Sequence, residues 1–345
     1  MNTKKFFYKI YTEIPWSELN NKRILITGAS GMIGSTLIRM LLEYSREEQA
    51  NIQIVGIGRN RETAKEQLKD MMDVTEFSYV SADINSPLEN MGSFDYMIHC
   101  ASNTHPRQYS TEPIGIIMTN VLGTKNLLDY AAEHGTKRFV FLSSVEIYGE
   151  NRGDVENFSE DYLGYIDCNT LRSGYPEGKR LGESMCNAYA KEKGIDFVIP
   201  RLSRTYGPSL LGTDSKAISQ FIHKAVSGED IILKSKGNQL FSYTYSEDAA
   251  AAILFIMLKG NSGEAYNVSD AESVITLADL AQILADIGGT KVIFELPDEV
   301  EKAGYSTATK AVLDATKLES LGWSARVHMR EGLERTVKHA AIIEG

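Results

Sequence analysis

Ser144, Tyr175 and Lys179 are the residues whose types and spacing best suit chemistry on an alcohol. Tyr175 and Lys179 are one helical turn apart, so in a helix their side chains lie side by side. Taking a hydride from a secondary alcohol requires a base for the hydroxyl proton, and free tyrosine titrates at about pH 10. A neighbouring ammonium favours the phenolate, and a serine hydroxyl can hydrogen-bond the substrate oxygen. The trio predicts alcohol oxidation. A second pair, Tyr189 and Lys193, has the same spacing, and we interpret it as a solvated helix end.

A glycine-rich turn near the start of the chain can hold the dinucleotide that such chemistry needs. It follows an apolar run at residues 23–27 and precedes an amphipathic pattern at 32–42. The first glycine permits the turn, the second lets the backbone approach a pyrophosphate, and the third lets helix and strand pack closely. The helix N-terminus then offers free N–H groups to the phosphates. We expect cofactor contacts along the whole turn, from Gly28, Ser30, Gly31, Met32, Ile33 and Gly34.

The end of the second predicted strand bears on which dinucleotide binds. An acid at this place holds a ribose 2′-hydroxyl, and a base accommodates a 2′-phosphate. Here the strand ends with Gly58 and Arg59, without Asp or Glu. Arg59 can clamp a 2′-phosphate or stack on adenine, which favours NADP, or it simply begins a solvated helix.

The elements that must position these residues alternate between short β-branched runs and longer helical patterns. Predicted strands cover 23–27, 52–57, 77–80, 96–100, 139–143 and 197–200, and predicted helices cover 32–45, 61–72, 113–134 and 176–193. This alternation predicts an α/β fold, a Rossmann doubly wound parallel sheet with helices on both faces. We expect an N-terminal arm at 1–22 and the dinucleotide-binding domain at 23–200. Residues 201–345 then form mostly a smaller α/β substrate-binding region, with some segments returning to the first domain. Helices are predicted there near 216–227, 247–258 and 276–287.

The composition narrows the choice of partners and compartment. A formal net charge of −10 gives no basic surface for nucleic acid or an anionic membrane. No run approaches the roughly 20 apolar residues that span a bilayer. Cys100, Cys168 and Cys186 lack metal-site spacing, so we expect reduced thiols and no metal. Without a signal-peptide pattern, the expected location is the cytoplasm.

Longer motifs carry a resemblance to a known family. The glycine turn, the segments 143–149 and 175–186, and the later stretches 201–208, 245–248 and 321–323 resemble the extended short-chain dehydrogenases/reductases of the NAD-dependent epimerase/dehydratase family. Within it, Tyr-x-Glu-Gly-Lys-Arg followed by Glu and Met-Cys is most similar to the UDP-glucuronate decarboxylases.

The resemblance implies a bound NAD that oxidises a nucleotide-linked sugar at C4 and later returns the hydride. It also implies that Asp83 and Ile84 contact adenine, that Ala101 and Ser102 support the cofactor ribose, and that Glu146 is an extra acid/base residue. Helices near 113–134 and 176–193 would form a homodimer interface, with Ile116, Ile117, Val121, Leu128 and Met185 in the core or the interface.

The substrate half departs from the family pattern. Arg204 stands where the family usually has Asn, and Phe241 stands where it has a diphosphate-binding Arg; a second Arg is absent near 309–311. Losing such a clamp is costly unless another cation replaces it, and the candidates are Arg204, Lys234 and Lys236. His105 and Arg107 either face the sugar or belong to a surface loop.

Three kinds of function remain open at this stage. The first is nucleotide-sugar decarboxylation, epimerisation or dehydration. Dehydration is weakened because Val145 replaces the Asp of the usual Asp-Glu pair. The second is an NADP-dependent keto reductase, which would consume NADPH stoichiometrically. The third is a non-catalytic Rossmann sensor or scaffold, disfavoured because Ser144, Tyr175 and Lys179 are all present.

Overall fold

A computed structural model describes residues 7–102, 106–209, 216–295 and 309–344 of the chain. The strands within these ranges are β1 (Arg23–Thr27), β2 (Gln53–Gly58), β3 (Phe77–Ser81), β4 (Tyr96–His99), β5 (Arg138–Phe141), β6 (Ser143–Ser144), β7 (Phe197–Leu202), β8 (Arg204–Tyr206), β9 (Ile231–Leu233), β10 (Leu240–Tyr245), β11 (Ala265–Val268), β12 (Val274–Thr276), β13 (Val292–Phe294) and β14 (Lys310–Ala311). The helices are α1 (Met32–Glu47), α2 (Arg61–Gln67), α3 (Pro106–Thr111), α4 (Pro113–Met118), α5 (Thr124–Glu133), α6 (Gly174–Lys193), α7 (Ala217–Ser227), α8 (Ser246–Lys259), α9 (Leu277–Gly288), α10 (Thr316–Ser320) and α11 (Met329–Glu344).

The larger sheet has the strand order β11-β7-β5-β4-β1-β2-β3, with β6 also paired to β7, and all of its pairs are parallel. Its central strands are nearly continuous apolar runs because helices cover both faces. The strand order reverses direction between β1 and β4, and open α/β sheets of this kind bind ligands in a crevice at the carboxyl ends of the strands at such a point. The predicted Rossmann doubly wound fold is confirmed.

The two faces of this sheet are covered by different parts of the chain. One face packs against α1, α8 and the segment before β1, whose Tyr8, Tyr11 and Leu19 are buried. The other face packs against α5 and α6. The apolar stretch in α8 lies inside the first of these cores, and no helix in the described ranges is long and apolar enough to cross a bilayer.

A second, smaller layer is built from the C-terminal half. Strands β12, β10, β14 and β8 form one sheet, β13 and β9 pair separately, and α7, α9 and α11 enclose a separate apolar core. Strand β8 follows β7 after a single residue and pairs in parallel with β10, which places Arg204 opposite Tyr243. Strand β11, in contrast, belongs to the large sheet.

Two helices differ from their predicted form near the crevice. The helix predicted over 113–134 is α4, then a π-helical turn at Thr119–Gly123, then α5. Helix α6 begins at Gly174 after a short 3₁₀ helix, Leu171–Ser173, so Tyr175 lies in its first turn. A π-helical turn widens the helix by one residue and leaves the apolar periodicity almost unchanged, so the sequence pattern did not reveal this turn.

Candidate active site

The glycine turn forms a tight cradle at the carboxyl end of β1. Gly28 has φ +66°, and a Cβ there would meet the Ala101 backbone at 2.9 Å. The Gly31 amide donates to the Gly28 carbonyl at 2.9 Å, and a Cβ at Gly34 would overlap that same carbonyl oxygen. Ser30, Met32 and Ile33 are half-buried on this turn. The cradle fits a pyrophosphate because the glycines lack side chains where the backbone turns and because the N-terminus of α1 begins there, at Met32.

Of the three residues expected at the adenine end, Arg59 and Asp83 are exposed and Ile84 is buried. Arg59 is exposed after β2, and its guanidinium has no ion pair among the described residues, while its carbonyl accepts from Ser81 Oγ at 3.1 Å. Asp83 is exposed and its carboxylate accepts the Asn85 amide at 3.0 Å. Ile84 is buried, and its carbonyl accepts from Asn126 Nδ2 at 2.8 Å.

A buried polar chain supports the loop after β4. The Ala101 amide donates to Thr27 Oγ1 at 3.1 Å, and Thr27 in turn contacts His99 Nδ1 at 2.9 Å. Burial, and next the charge of Lys179, lower the pKa of His99 well below its ordinary value, so the ring is neutral. Ser102 Oγ donates to Asn120 Oδ1 at 3.0 Å.

Asn120 was missed by the sequence reasoning although it supports the expected ribose loop. It is fully buried in the π-helical turn, where its Nδ2 donates to the Ile116 carbonyl at 2.9 Å. A Cβ on Gly178 would approach the Cβ of Asn120 at 2.9 Å, so α6 packs closely there. A polar residue within an otherwise apolar helical pattern was the available signal.

Ser144 at the end of β6 hydrogen-bonds Tyr175, and Lys179 lies one helical turn further along α6, against the end of β5. Tyr175 is buried, which raises the pKa of its phenol above the ordinary value; the charge of Glu146 raises it further and Ser144 lowers it. Burial lowers the pKa of Lys179 to about 8, and its Nζ donates to the Leu142 carbonyl at 2.7 Å. A phenol and an amine therefore stand one turn apart on α6, with the phenol beside the Ser144 hydroxyl.

Glu146 lies next to this trio and is held by a residue that the sequence reasoning also missed. Its amide donates to Ser144 Oγ at 3.2 Å, and its Oε1 accepts from Arg172 Nη2 at 3.1 Å. The Arg172 guanidinium lies 5.3 Å from the centre of the Tyr109 ring, which in turn lies 5.6 Å from the ring of Tyr175. The only sequence feature that pointed to Arg172 was its position three residues before Tyr175.

Of the residues expected to bind substrate, Arg204 is found near the residues around Tyr175. The Arg204 guanidinium stacks on the Phe241 ring at 3.7 Å, and its buried Nε has no hydrogen-bond partner among the described residues. Arg204 is close enough to Tyr109 for its charge to act on that phenol. Lys234 and Lys236 are exposed on the loop after β9, and no contact between Lys236 and the trio is found in the described part of the chain. His105 and the side chain of Arg107 lie outside the described residues.

Comparisons with known proteins cover nearly the whole chain. Residues 24–269 match the NAD dependent epimerase/dehydratase family. UDP-glucuronic acid decarboxylase 1 of Xenopus tropicalis is 30% identical over 98% of this chain and 77% of its own length. UDP-glucuronic acid decarboxylase 3 of Arabidopsis thaliana is 31% identical over 91% of this chain and 87% of its own length.

Solved structures have the same fold. A dTDP-glucose 4,6-dehydratase of Streptomyces venezuelae with NAD bound is 25% identical, with a TM-score of 0.78 over 92% of this chain and 96% of its own. A UDP-glucose 4-epimerase of Thermotoga maritima, with a TM-score of 0.79 at 23% identity over 94% of this chain and 100% of its own, shares the fold.

Proposed function

The chain belongs to the NAD-dependent epimerase/dehydratase family, as its motifs predicted, and from this premise we propose that it decarboxylates a nucleotide-linked hexuronate. The observation that carries the proposal is the cluster of Ser144, Glu146 and Tyr175, in which a carboxylate stands beside the tyrosine base. The near full-length similarity to UDP-glucuronic acid decarboxylases supports the choice of a UDP-linked uronic acid as substrate.

The reaction balances without any external oxidant. When bound, the nicotinamide dinucleotide supplies a hydride acceptor that later returns the same hydride. Oxidation removes a hydride from the sugar C4 and a proton from its hydroxyl, leaving a ketone β to the C5 carboxylate. The bond from C5 to the carboxylate then breaks, carbon dioxide leaves, and the electron pair stays at C5 as an enolate. Protonation of C5 and return of hydride and proton to C4 and its oxygen restore the alcohol.

Each residue of the cluster, and Lys179 on the same helix as Tyr175, has a role in this series of steps. Tyr175 takes the proton from the C4 hydroxyl and gives it back, while Ser144 hydrogen-bonds the same oxygen. Lys179 keeps a positive charge within one helical turn of Tyr175, which favours the phenolate. Glu146 handles the proton at C5. Val145 provides no second carboxyl group beside Glu146, so the elimination of water, which needs both an acid and a base, is disfavoured.

We further propose NAD as the resident cofactor. The family supports NAD, whereas the exposed Arg59 at the end of β2 favours NADP. Denaturing the purified protein and identifying the released nucleotide separates the two. Released NADP would assign Arg59 to the 2′-phosphate, and Arg59→Ala should then lose the nucleotide. Stoichiometric consumption of NADPH would instead support the keto reductase.

Arg204 is proposed to take over the diphosphate clamp of the substrate. Because β8 and β10 are paired, Arg204 and Phe241 lie on neighbouring strands near the same face, where an arginine can stack on an aromatic ring. The stacked guanidinium has a buried Nε–H without a partner in the described part of the chain, and an anionic oxygen can accept a hydrogen bond from it. We expect Arg204→Ala to raise KM about 10- to 100-fold, the worth of a charge-assisted hydrogen bond. Lys236→Ala tests the competing cation, and an equal rise in its KM would contradict this assignment.

We also propose a homodimer formed by α4, the π-helical turn and α6. Ile114, Ile117 and Leu181 are exposed on this surface, with 71%, 37% and 46% of their area accessible. Ile116 and Leu128, which the sequence left between core and interface, are buried within the chain. Sedimentation should give a dimer at micromolar concentration, and Leu181→Asp should give a monomer.

The test of the reaction is a screen of nucleotide sugars against the purified protein by mass spectrometry. With UDP-glucuronate we expect a product lighter by the mass of carbon dioxide. A product from UDP-glucose or dTDP-glucose lighter by one water would indicate dehydration, and an unchanged mass with altered stereochemistry would indicate epimerisation. Tyr175→Phe should abolish turnover, and a fully active variant would refute the assignment of the base.

A further inference from the structure

Arg172 connects two groups that border Tyr175. It lies in the 3₁₀ helix immediately before α6, and its Nη2 is 3.1 Å from Glu146 Oε1. Its guanidinium also faces the ring of Tyr109, a buried residue whose ring is tilted by 35° against that of Tyr175. The next arginine along, Arg180, instead donates to the carbonyls of Ile147 and Gly164, both at 2.7 Å. Arg180 therefore binds backbone, and Arg172 binds the carboxylate of the site.

The charges around Tyr175 show why this contact matters. Within the described residues, three groups face the Tyr175 phenol: Glu146 in the 3₁₀ turn after β6, Ser144 in β6, and the ring of Tyr109 in α3. Lys179 follows one turn later on α6. The negative charge of Glu146 opposes phenolate formation, whereas catalysis needs the phenolate. A carboxylate beside the base is useful at C5 only if its charge is offset and its position is set.

We propose that Arg172 is a positioning residue that pins the Glu146 carboxylate and offsets its charge, so that Tyr175 and Glu146 can handle protons at different atoms of one sugar. The inference rests on the proposed function, because it assigns Glu146 to C5 and Tyr175 to the C4 hydroxyl. A role in folding alone does not account for the contact, since a half-exposed ion pair contributes only about 0–1 kcal/mol to stability.

The experiment compares Arg172→Ala, Arg172→Lys, Glu146→Gln and the Arg172→Ala/Glu146→Gln double variant. Arg152→Ala is the matched control, because Arg152 also pairs with a glutamate, at 3.4 Å, and stacks on a tyrosine, at 4.0 Å, but these partners are Glu150 and Tyr165. The readout is the rate at which the nicotinamide of the purified protein is reduced on mixing with UDP-glucuronate or UDP-glucose, measured against pH. This rate reports C4 oxidation whether or not decarboxylation follows.

The expected pattern is specific to charge offset. Arg172→Ala should slow the reduction about tenfold and move the acidic limb of its pH profile upward by about half to one pH unit. Arg172→Lys should restore the pH profile, and Arg152→Ala should match the wild type. In Glu146→Gln no carboxylate remains for Arg172 to hold, so adding Arg172→Ala should move the limb clearly less than it does in the wild-type background. The same pH profile in Arg172→Ala and wild type, or an equal shift in both backgrounds, would overturn the proposal.

Failure of the proposed function can be told apart from failure of this inference. If no nucleotide sugar reduces the cofactor, the proposed function fails, and Arg172 is then tested without substrate. The alkaline titration of tyrosinate absorbance, wild type minus Tyr175→Phe, reports Tyr175 alone. Arg172→Ala should move this difference titration to higher pH, and coincident titrations would refute the role of Arg172.

Discussion

Replacing Asp248 by alanine tests whether one buried carboxylate joins the two ends of the chain. Asp248 is fully buried in the first turn of α8. Its Oδ1 accepts from the Tyr11 hydroxyl at 2.9 Å and the Arg326 amide at 2.8 Å, and its Oδ2 accepts from the Val327 amide at 2.9 Å. The alanine variant leaves three donors without this acceptor: the Tyr11 hydroxyl before β1 and the two backbone amides before α11.

Two opposing free energies set the expected loss of stability. Each orphaned buried donor costs about 1–3 kcal/mol. In the opposite direction, burial raises the pKa of Asp248 to about 6, so keeping it ionised at pH 8 costs the native protein about 3 kcal/mol, which the variant no longer bears. With three orphaned donors at about 2 kcal/mol each, the loss outweighs this gain, and we expect Asp248→Ala to lower the free energy of unfolding by about 3 kcal/mol at pH 8.

The pH dependence has a definite sign. Because the pKa of Asp248 is raised on folding, its favourable contribution is complete below the ordinary pKa of about 4 and is lost as the pH rises through about 6. The difference between wild type and Asp248→Ala should therefore be larger at pH 5 than at pH 8, by about 1 kcal/mol. Tyr11→Phe removes only one donor and should cost about 1 kcal/mol.

Urea unfolding at both pH values measures these free energies, with the slope of the transition checked for each variant. If Asp248→Ala cost no more than Tyr11→Phe, or if its cost were the same at pH 5 and pH 8, the carboxylate would not be the link described above.

Two further outcomes are expected at the active site. Gly34→Ala should yield protein without bound dinucleotide, because the new Cβ would overlap the Gly28 carbonyl. The control Gly115→Ala should retain the dinucleotide, because the space at its Cβ is open. The amount of nucleotide released on denaturation measures both. The value of kcat/KM should fall as the pH rises through about 8. Burial lowers the pKa of Lys179 to about 8, so above that pH Lys179 is neutral and no longer favours the Tyr175 phenolate. Lys179→Met should be slower by about 100-fold or more and lack this alkaline decline. The same decline in Lys179→Met would assign it to another group.

Features that depend on short stretches of chain could be predicted. A strand, a turn and a helix in succession constrain Gly28, Gly31 and Gly34 by local sterics, and a Cβ at the first and third of these positions would indeed meet backbone. Tyr175 and Lys179 share a helix face for the same local reason. The π-helical turn around Asn120 could not be predicted, because a single inserted residue hardly alters the apolar pattern.

The sequence alone determined the fold class, the dinucleotide turn and the pairing of Tyr175 with Lys179, since each depends on residue type at fixed spacing along neighbouring stretches of chain. The tertiary structure decided which charges meet. Arg172 reaches Glu146 across 26 positions of sequence, and Arg204 stacks on Phe241 because β8 pairs with β10. Such contacts depend on strand register and on the packing of separate elements, and no local spacing specifies them.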